Sequence, residues 1–301
     1  MIPLLDYAEF VEGDAERFVR NFSQAARETG FFLLCNHGIG PAIRTEVFAQ
    51  AEALFALPQE EKARISIAMS SHNRGYVDLG EERLDGARAD RKEAFNIGLD
   101  LPADDPRVAG GEPFRGVNLW PDLPGFRESM LTYFEAIWSL GVDLHRAVAR
   151  DLGQPEDVFA PHFTAPMATL RLLHYPASGP GEIGAGIHTD YGALTLLATD
   201  HVSGLQVRTR SGEWIDVPRS DGALVVNIGD CLMRWTNDIY VSTPHRVLPP
   251  KEERYSVAFF LDPNPDAVIS ALPGTGAAKY PDVTGADYLT SRLNATYAER
   301  A

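Results

Sequence analysis

The chain has 301 residues, 45% hydrophobic and 23% charged, the proportions of a globular protein that buries a substantial core. Its formal charge of −15 argues against a nucleic-acid partner, because binding to phosphates relies on clustered Lys and Arg. Two cysteines without metal-ligand spacing, no apolar run long enough to span a bilayer and no secretory pattern at the N-terminus make a cytoplasmic location without membrane association the default expectation, and no protein partner is evident.

In chain order, Asp14 is placed to cap a helix through Thr29, with Phe18, Phe22, Ala25 and Ala26 on one stripe and Gly30 ending it. The apolar run Phe31–Cys35 follows as a strand. Pro41 then opens a second helix with Ile43, Val47, Ala51, Leu54 and Phe55 on its face. Gln59-Glu60-Glu61-Lys62 is expected to be a solvated turn. From Ser66 to Leu123 periodicity is weak, the kind of long irregular segment that covers a site. Within it Glu93–Gly98 reads as a short strand, whose Phe95 is by residue type more often core than contact. A long amphipathic helix is predicted over 126–152, with Phe126, Met130, Tyr133, Phe134, Ile137, Leu140, Leu144 and Val148 on its apolar side, closed by Gly153.

Beyond it the pattern changes to short β-rich runs at 169–175, 194–199, 205–209, 214–217, 223–228 and 255–261, separated by turn residues. Their spacing suits an antiparallel sandwich or barrel. The final segment predicts a helix from Thr284 with Tyr288, Leu289 and Leu293 as its packing face. Gly179-Pro180-Gly181-Glu182-Ile183-Gly184 matches a dinucleotide fingerprint, but no helix is predicted to follow, so a loop is expected instead. His37, His72, His145, His162 and His201 lack partners at ligand spacing and are expected to be structural or exposed.

Three clusters carry chemistry. His188 and Asp190 are two apart on an extended segment, so their side chains share a face and can occupy two corners of a metal site. His245 offers a third ligand. Two histidines and a carboxylate on one face of an octahedral metal suit a non-haem Fe(II) oxygenase, since three positions stay open. Arg254 and Ser256 share a strand face as well. A guanidinium and a hydroxyl so placed can hold the distal carboxylate of a small dicarboxylic acid whose other end reaches the metal. Period two puts Phe260 on the same inward face, past the co-substrate, as a candidate substrate contact.

These motifs resemble the iron(II)/2-oxoglutarate-dependent dioxygenases, in particular the branch containing isopenicillin N synthase and the plant flavonoid and gibberellin oxygenases. Ile2-Pro3-Leu4-Leu5-Asp6, the Gly30–Ile39 stretch, Gly204-Leu205-Gln206-Val207, Asn227-Ile228-Gly229-Asp230 and Ser242–Arg246 add to the likeness in the right order. The resemblance implies a mainly β fold with flanking helices, a double-stranded β-helix (jelly-roll) core over 161–265. An N-terminal helical and mixed α/β region over 1–160 and a tail over 266–301 would complete one structural unit.

It also implies Fe(II) on His188, Asp190 and His245, with 2-oxoglutarate on Arg254, Ser256 and Tyr175, and it places Phe95 near the mouth of the site as a candidate substrate contact. Dioxygen is the other co-substrate and ascorbate a stimulatory reductant. The chain departs from the family where Leu173 replaces an Asn that helps bind 2-oxoglutarate. The activity implied is hydroxylation of a small organic metabolite with release of succinate and CO2. Two alternatives stay open: a 2-oxoglutarate-independent oxidase or cyclase, and a non-catalytic metal- or ligand-binding homologue.

Overall fold

The computed structural model describes residues 1–83, 89–179 and 181–298. In chain order the principal strands are β1 (Leu4–Asp6), β2 (Phe31–Cys35), β3 (Gly75–Val77), β4 (Glu93–Gly98), β5 (Thr169–Tyr175), β6 (Ala185–His188), β7 (Leu194–Thr199), β8 (Leu205–Arg208), β9 (Trp214–Asp216), β10 (Leu224–Ile228), β11 (His245–Val247) and β12 (Arg254–Leu261). They form an eight-stranded sheet, β1-β2-β10-β7-β12-β5-β4-β3, and a four-stranded sheet, β6-β11-β8-β9. Within these sheets every described ladder is antiparallel except β1–β2. The inner faces share a core that includes Phe31, Leu33 and Val225 from the large sheet and Val207 and Val247 from the small one. This is the expected jelly roll, and it is not closed into a barrel. Strands from the first hundred residues extend the same sheet that carries β5, β7, β10 and β12.

Period-two alternation explains the layering. Along β2, Phe31 and Leu33 face the second sheet while Phe32 and Leu34 face the helices. Along β12, Val257, Phe259 and Leu261 pack outward, and Ala258 packs inward. The outward face is covered by helices Ala15–Glu28, Pro41–Phe55 and Phe126–Asp151, whose apolar stripes match those predicted. The Asp14 carboxylate accepts from the Arg17 amide as an N-cap. Gly30 ends that helix at φ 66°, and a Cβ there would fall 2.2 Å from the Val241 carbonyl oxygen, so only glycine fits. Among the described residues no helix is long and apolar enough to cross a membrane.

Two expectations need correction. The turn Gln59–Lys62 is a short helix, Gln59–Ala63, and Lys62 is not solvated. Its ammonium is buried, 2.9 Å from Glu93 and 3.2 Å from the Phe55 carbonyl. A buried cation needs such partners, and Glu93 also accepts from the Tyr76 hydroxyl and pairs with His174 Nδ1 at 2.7 Å. Phe95 is the second. It is fully buried on the helix-facing side of β4, edge-on to Phe126, so it cannot meet a substrate in the inter-sheet space. Its neighbour Asn96, pointing the other way, lines that space.

The cluster around Glu93 makes stability pH-dependent. Burial alone would depress the His174 imidazole, but its bonds to Glu93 and Glu253 outweigh this and hold its pKa above the ordinary value. A folded pKa raised above the unfolded one, about 6.5, gives a contribution fully present below that pH and lost as pH rises through the folded pKa. The Tm difference between wild type and His174→Gln should therefore be largest near pH ~5.5 and shrink steadily toward pH ~9. A constant difference across that range would mean that His174 folds neutral.

Candidate active site

His188 ends β6 and His245 begins β11, and the two are directly paired across that ladder. Their rings lie 4.2 Å apart, centroid to centroid. Asp190, two residues beyond His188, brings Oδ1 to 3.8 Å from His188 Nε2 and 3.6 Å from His245 Nε2. One ligand atom from each residue lies within 4.8 Å of the others, as a shared metal ion requires. The remaining polar atoms are already committed. His188 Nδ1 faces the Gly186 carbonyl at 2.8 Å and His245 Nδ1 the Thr243 carbonyl at 3.1 Å, so both must donate there. That tautomer leaves each Nε2 lone pair free. Asp190 Oδ2 accepts from Thr195 Oγ1 at 2.6 Å and Asn227 Nδ2 at 2.8 Å, which leaves Oδ1 for a cation.

Protonation agrees with this geometry. Burial, then the neighbouring His245, keeps the His188 imidazole well below its usual pKa and hence neutral. Burial opposes ionisation of Asp190, but the two histidines and its two hydrogen bonds outweigh it and lower its pKa. A neutral His188 and an ionised Asp190 are the metal-binding forms of those two groups. Two nitrogens and one oxygen on one side, with a cavity on the other, fit Fe(II) better than a closed four-ligand zinc site.

The triad opens into a cavity of about 240 Å³ between the sheets, close to the lower end of small-molecule sites, which start at roughly 300 Å³. The inner face of the large sheet forms one wall, and its cross-strand register gives the wall a layout. One row runs Gly98, Thr169, Phe260, Thr195, Asn227 and Phe31. Thr195 and Asn227 on this row hold Asp190. Arg254 lies six residues from Phe260 along β12, about 20 Å. It is 1% exposed. Its Nε donates to the Val202 carbonyl at 3.3 Å, Nη1 to Ser256 Oγ at 3.4 Å, and its guanidinium sits over the Tyr175 ring at 4.8 Å. Among the described residues no carboxylate pairs with it. A buried guanidinium so placed can pair with a carboxylate.

Phe260 and Tyr175 both line this cavity, and Leu173 does too, as an apolar patch beside Ser256. His72, expected to be structural or exposed, lines the cavity as well. Leu289 and Leu293, read as packing residues, close it from the helix Gly285–Ala298, which Arg292 ties to Asp230 at 2.6 Å. Burial, with Asp190 nearby, pushes the carboxyl of the cavity residue Asp262 up to about 7. Sequence reasoning missed Thr195 and the role of Asn227, although period two on β7 and β10 puts both inside. It also missed Arg74, Asn96 and Arg171, which line the far end. Arg74 lies in the irregular segment, where no periodicity points to a face.

Two family models match the chain, that of the non-haem dioxygenase in morphine synthesis N-terminal region over residues 2–123 and that of the 2OG-Fe(II) oxygenase superfamily over residues 160–263. The 2-oxoglutarate-Fe(II) type oxidoreductase hxnY of Emericella nidulans is 38% identical, over 98% of this chain and 90% of its own. The proline hydroxylase buaE of Petromyces alliaceus is 35% identical, over 97% of this chain and 98% of its own. A full-length Neurospora crassa protein, crystallised in complex with alpha-KG and thymine, superposes with a TM-score of 0.87 at 36% identity, covering 98% of this chain and 97% of that one. Both halves of the chain therefore carry one family's pattern, and the chain belongs to the 2OG-Fe(II) oxygenase superfamily, the non-haem iron dioxygenases that take 2-oxoglutarate as co-substrate.

Proposed function

We propose that this dioxygenase hydroxylates a small organic metabolite inside the inter-sheet cavity, with His188, Asp190 and His245 as the iron ligands and Arg254 and Ser256 as the anchor of 2-oxoglutarate. The observation that carries the reading is the pairing, in one cavity, of three uncommitted ligand atoms with a buried guanidinium that has no acid partner among the described residues. Bound Fe(II) supplies dioxygen activation, coupling conversion of 2-oxoglutarate to succinate and CO2 with oxidation of a substrate C–H bond.

The protein's part is placement. Gly186 and Thr243 carbonyls fix both imidazoles, and Thr195 and Asn227 fix the carboxylate, so the three ligand atoms face the cavity without reorganisation. Arg254 and Ser256 orient the distal carboxylate of the co-substrate, with the Tyr175 ring behind the guanidinium. Phe260, on the row of the sheet that also carries Thr195, packs against the substrate. Leu289 and Leu293 help keep water out.

The direct test supplies Fe(II), ascorbate and 2-oxoglutarate under air and measures succinate with and without a metabolite library. Succinate formation independent of 2-oxoglutarate, or none with any compound, would sink the proposal. His188→Ala, Asp190→Ala and His245→Ala should each lower turnover more than ~100-fold while circular dichroism stays native, because removing a ligand costs more than removing its hydrogen-bond support. Near-normal rates for Asp190→Ala at limiting iron would take that residue out of the site.

For the co-substrate, Arg254→Lys should raise the KM for 2-oxoglutarate about 10–100-fold, since an ammonium cannot reproduce the planar fork. An unchanged KM would mean that the co-substrate sits elsewhere.

Phe260→Ala should uncouple the reaction once a turnover substrate has been identified by mass spectrometry. Succinate continues to form, but less product accompanies each succinate, because the target bond is misplaced. A wild-type ratio with only a lower Tm would make Phe260 a packing residue.

A further inference from the structure

Four cationic side chains besides the histidines line the cavity: Arg74, Lys92, Arg171 and Arg254. Lys92 pairs with Asp90 and with Glu82, and Arg171 pairs with Glu82 at 2.7 Å. Arg254 has no acid among the described residues, and the co-substrate carboxylate accounts for that. Arg74 is in the same position with nothing to account for it. It is 4% exposed. Its Nη2 reaches the Phe114 carbonyl only at 3.5 Å, and its Nε is buried without a partner among the described residues. The nearest charge of note is another cation, Arg115, and that residue is committed to Glu112 and to the carbonyls of Ala165 and Pro166. A buried guanidinium without an acid, beside a second cation, is unfavourable for folding. Burial and Arg115 push its pKa down, but only to about 10, so it stays charged at neutral pH.

Its surroundings are arranged to hold it in the cavity. The guanidinium lies against Gly98, where an added Cβ would stand 1.9 Å from Nη2, so any side chain at 98 would expel it. Two residues earlier on β4, Asn96 is buried with Oδ1 unpartnered among the described residues, and its Nδ2 meets only the Asn73 carbonyl at 3.4 Å. The far end of the cavity thus presents a free planar donor and a free acceptor. Across the sheet, Gly98 is followed by Thr169, Phe260 and Thr195, three strands or roughly 14 Å away. Thr195 holds Asp190, and Phe260 stands between.

We infer that Arg74 is the specificity-determining anchor for the primary substrate, and that this substrate is a carboxylic acid whose carboxylate pairs with Arg74 while its body lies over Phe260 toward the metal ligands. The assignment rests on the proposed hydroxylase reading of the same cavity and adds the class of molecule. A carboxylate fits better than a bulkier dianion, because a planar fork takes it with two parallel bonds and supplies the single charge that is missing. A hydrogen-bond donor close to the carboxylate would satisfy Asn96 Oδ1. The separation of Arg74 from Asp190 calls for an elongated acid, oxidised at the end remote from its carboxylate.

Isothermal titration calorimetry on the full chain, with Mn(II) in place of iron and saturating 2-oxoglutarate so that Arg254 is occupied, tests this. The probes are benzoate, phenylacetate, 3-phenylpropanoate and 4-phenylbutanoate, each against its own primary amide. At least one acid should bind about ten-fold or more tightly than its amide. Arg74→Met should erase that preference, leave amide and 2-oxoglutarate affinities unchanged, and keep or raise the Tm, since an orphaned buried charge is removed. Arg74→Lys keeps the charge without the fork and should lose most of the preference, which decides the matter if Arg74→Met fails to fold. Acids no better than amides in wild type, including no binding by either, overturn the assignment, as does a preference that survives both variants. If 2-oxoglutarate itself fails to bind the wild type, the hydroxylase reading fails. If it binds and only the acid preference is missing, this inference alone fails.

Discussion

Every central strand of the large sheet has two buried faces with opposite requirements, and the rest of the molecule depends on keeping them apart. The helix-facing side must be apolar enough to bury Phe126–Asp151 and its neighbours. The inner side must carry polar groups aimed at a cavity. Period two lets one strand do both, so β12 alternates Arg254, Ser256, Ala258 and Phe260 with Tyr255, Val257, Phe259 and Leu261. A slip of one residue would bury Arg254 against the helices and place Phe259 beside the metal ligands. In the proposed site, co-substrate anchor and substrate wall are therefore fixed by one ladder register and not by separate loops.

Buried charge in this fold divides into two kinds. On the helix side, Lys62, Glu93, His174 and the Tyr76 hydroxyl satisfy one another, and that cluster is structural. In the cavity, Lys92 and Arg171 are neutralised by acids of the chain, while Arg74 and Arg254 have none among the described residues. Unpaired cations are costly to fold, so the difference separates groups satisfied within the chain from the two to which ligand-binding roles are proposed. The metal triad follows the same logic with opposite sign, since Asp190 keeps Oδ1 uncommitted beside two imidazoles.

Much of this was legible in the sequence. The three long helices, β5, β7, β10 and β12 follow from their apolar periods, and the triad from spacing on extended segments. Elements that depend on tertiary partners were harder. Lys62 sits in a charged turn by composition and becomes buried only because Glu93 lies beside it. Phe95, a candidate contact by resemblance, faces the helices, and a short strand inside an irregular segment does not reveal which side is inward. Asn96, its neighbour, has the orientation expected of Phe95. The helix Gly285–Ala298 has an apolar stripe that reads equally well as packing or as cover, and Leu289 and Leu293 turn out to meet the cavity. Arg74 had no local signal at all, since its meaning comes from Gly98 and from the lack of an acid partner among the described residues.

The β4–β5 ladder is also a seam between the two segments that the family models match. On its C-terminal side lie the metal triad, Arg254 and Phe260, in the segment matched by one family model. On its other side, in the segment matched by a different one, lie Arg74 and Asn96 at the opposite pole of the cavity. The two segments are joined across it by backbone hydrogen bonds and by side-chain pairs, Glu93 with His174 and Glu82 with Arg171, and the β2–β10 ladder joins them a second time. A chimera between relatives that exchanged one pole of the cavity on an unchanged iron centre would have to carry those side-chain pairs with it.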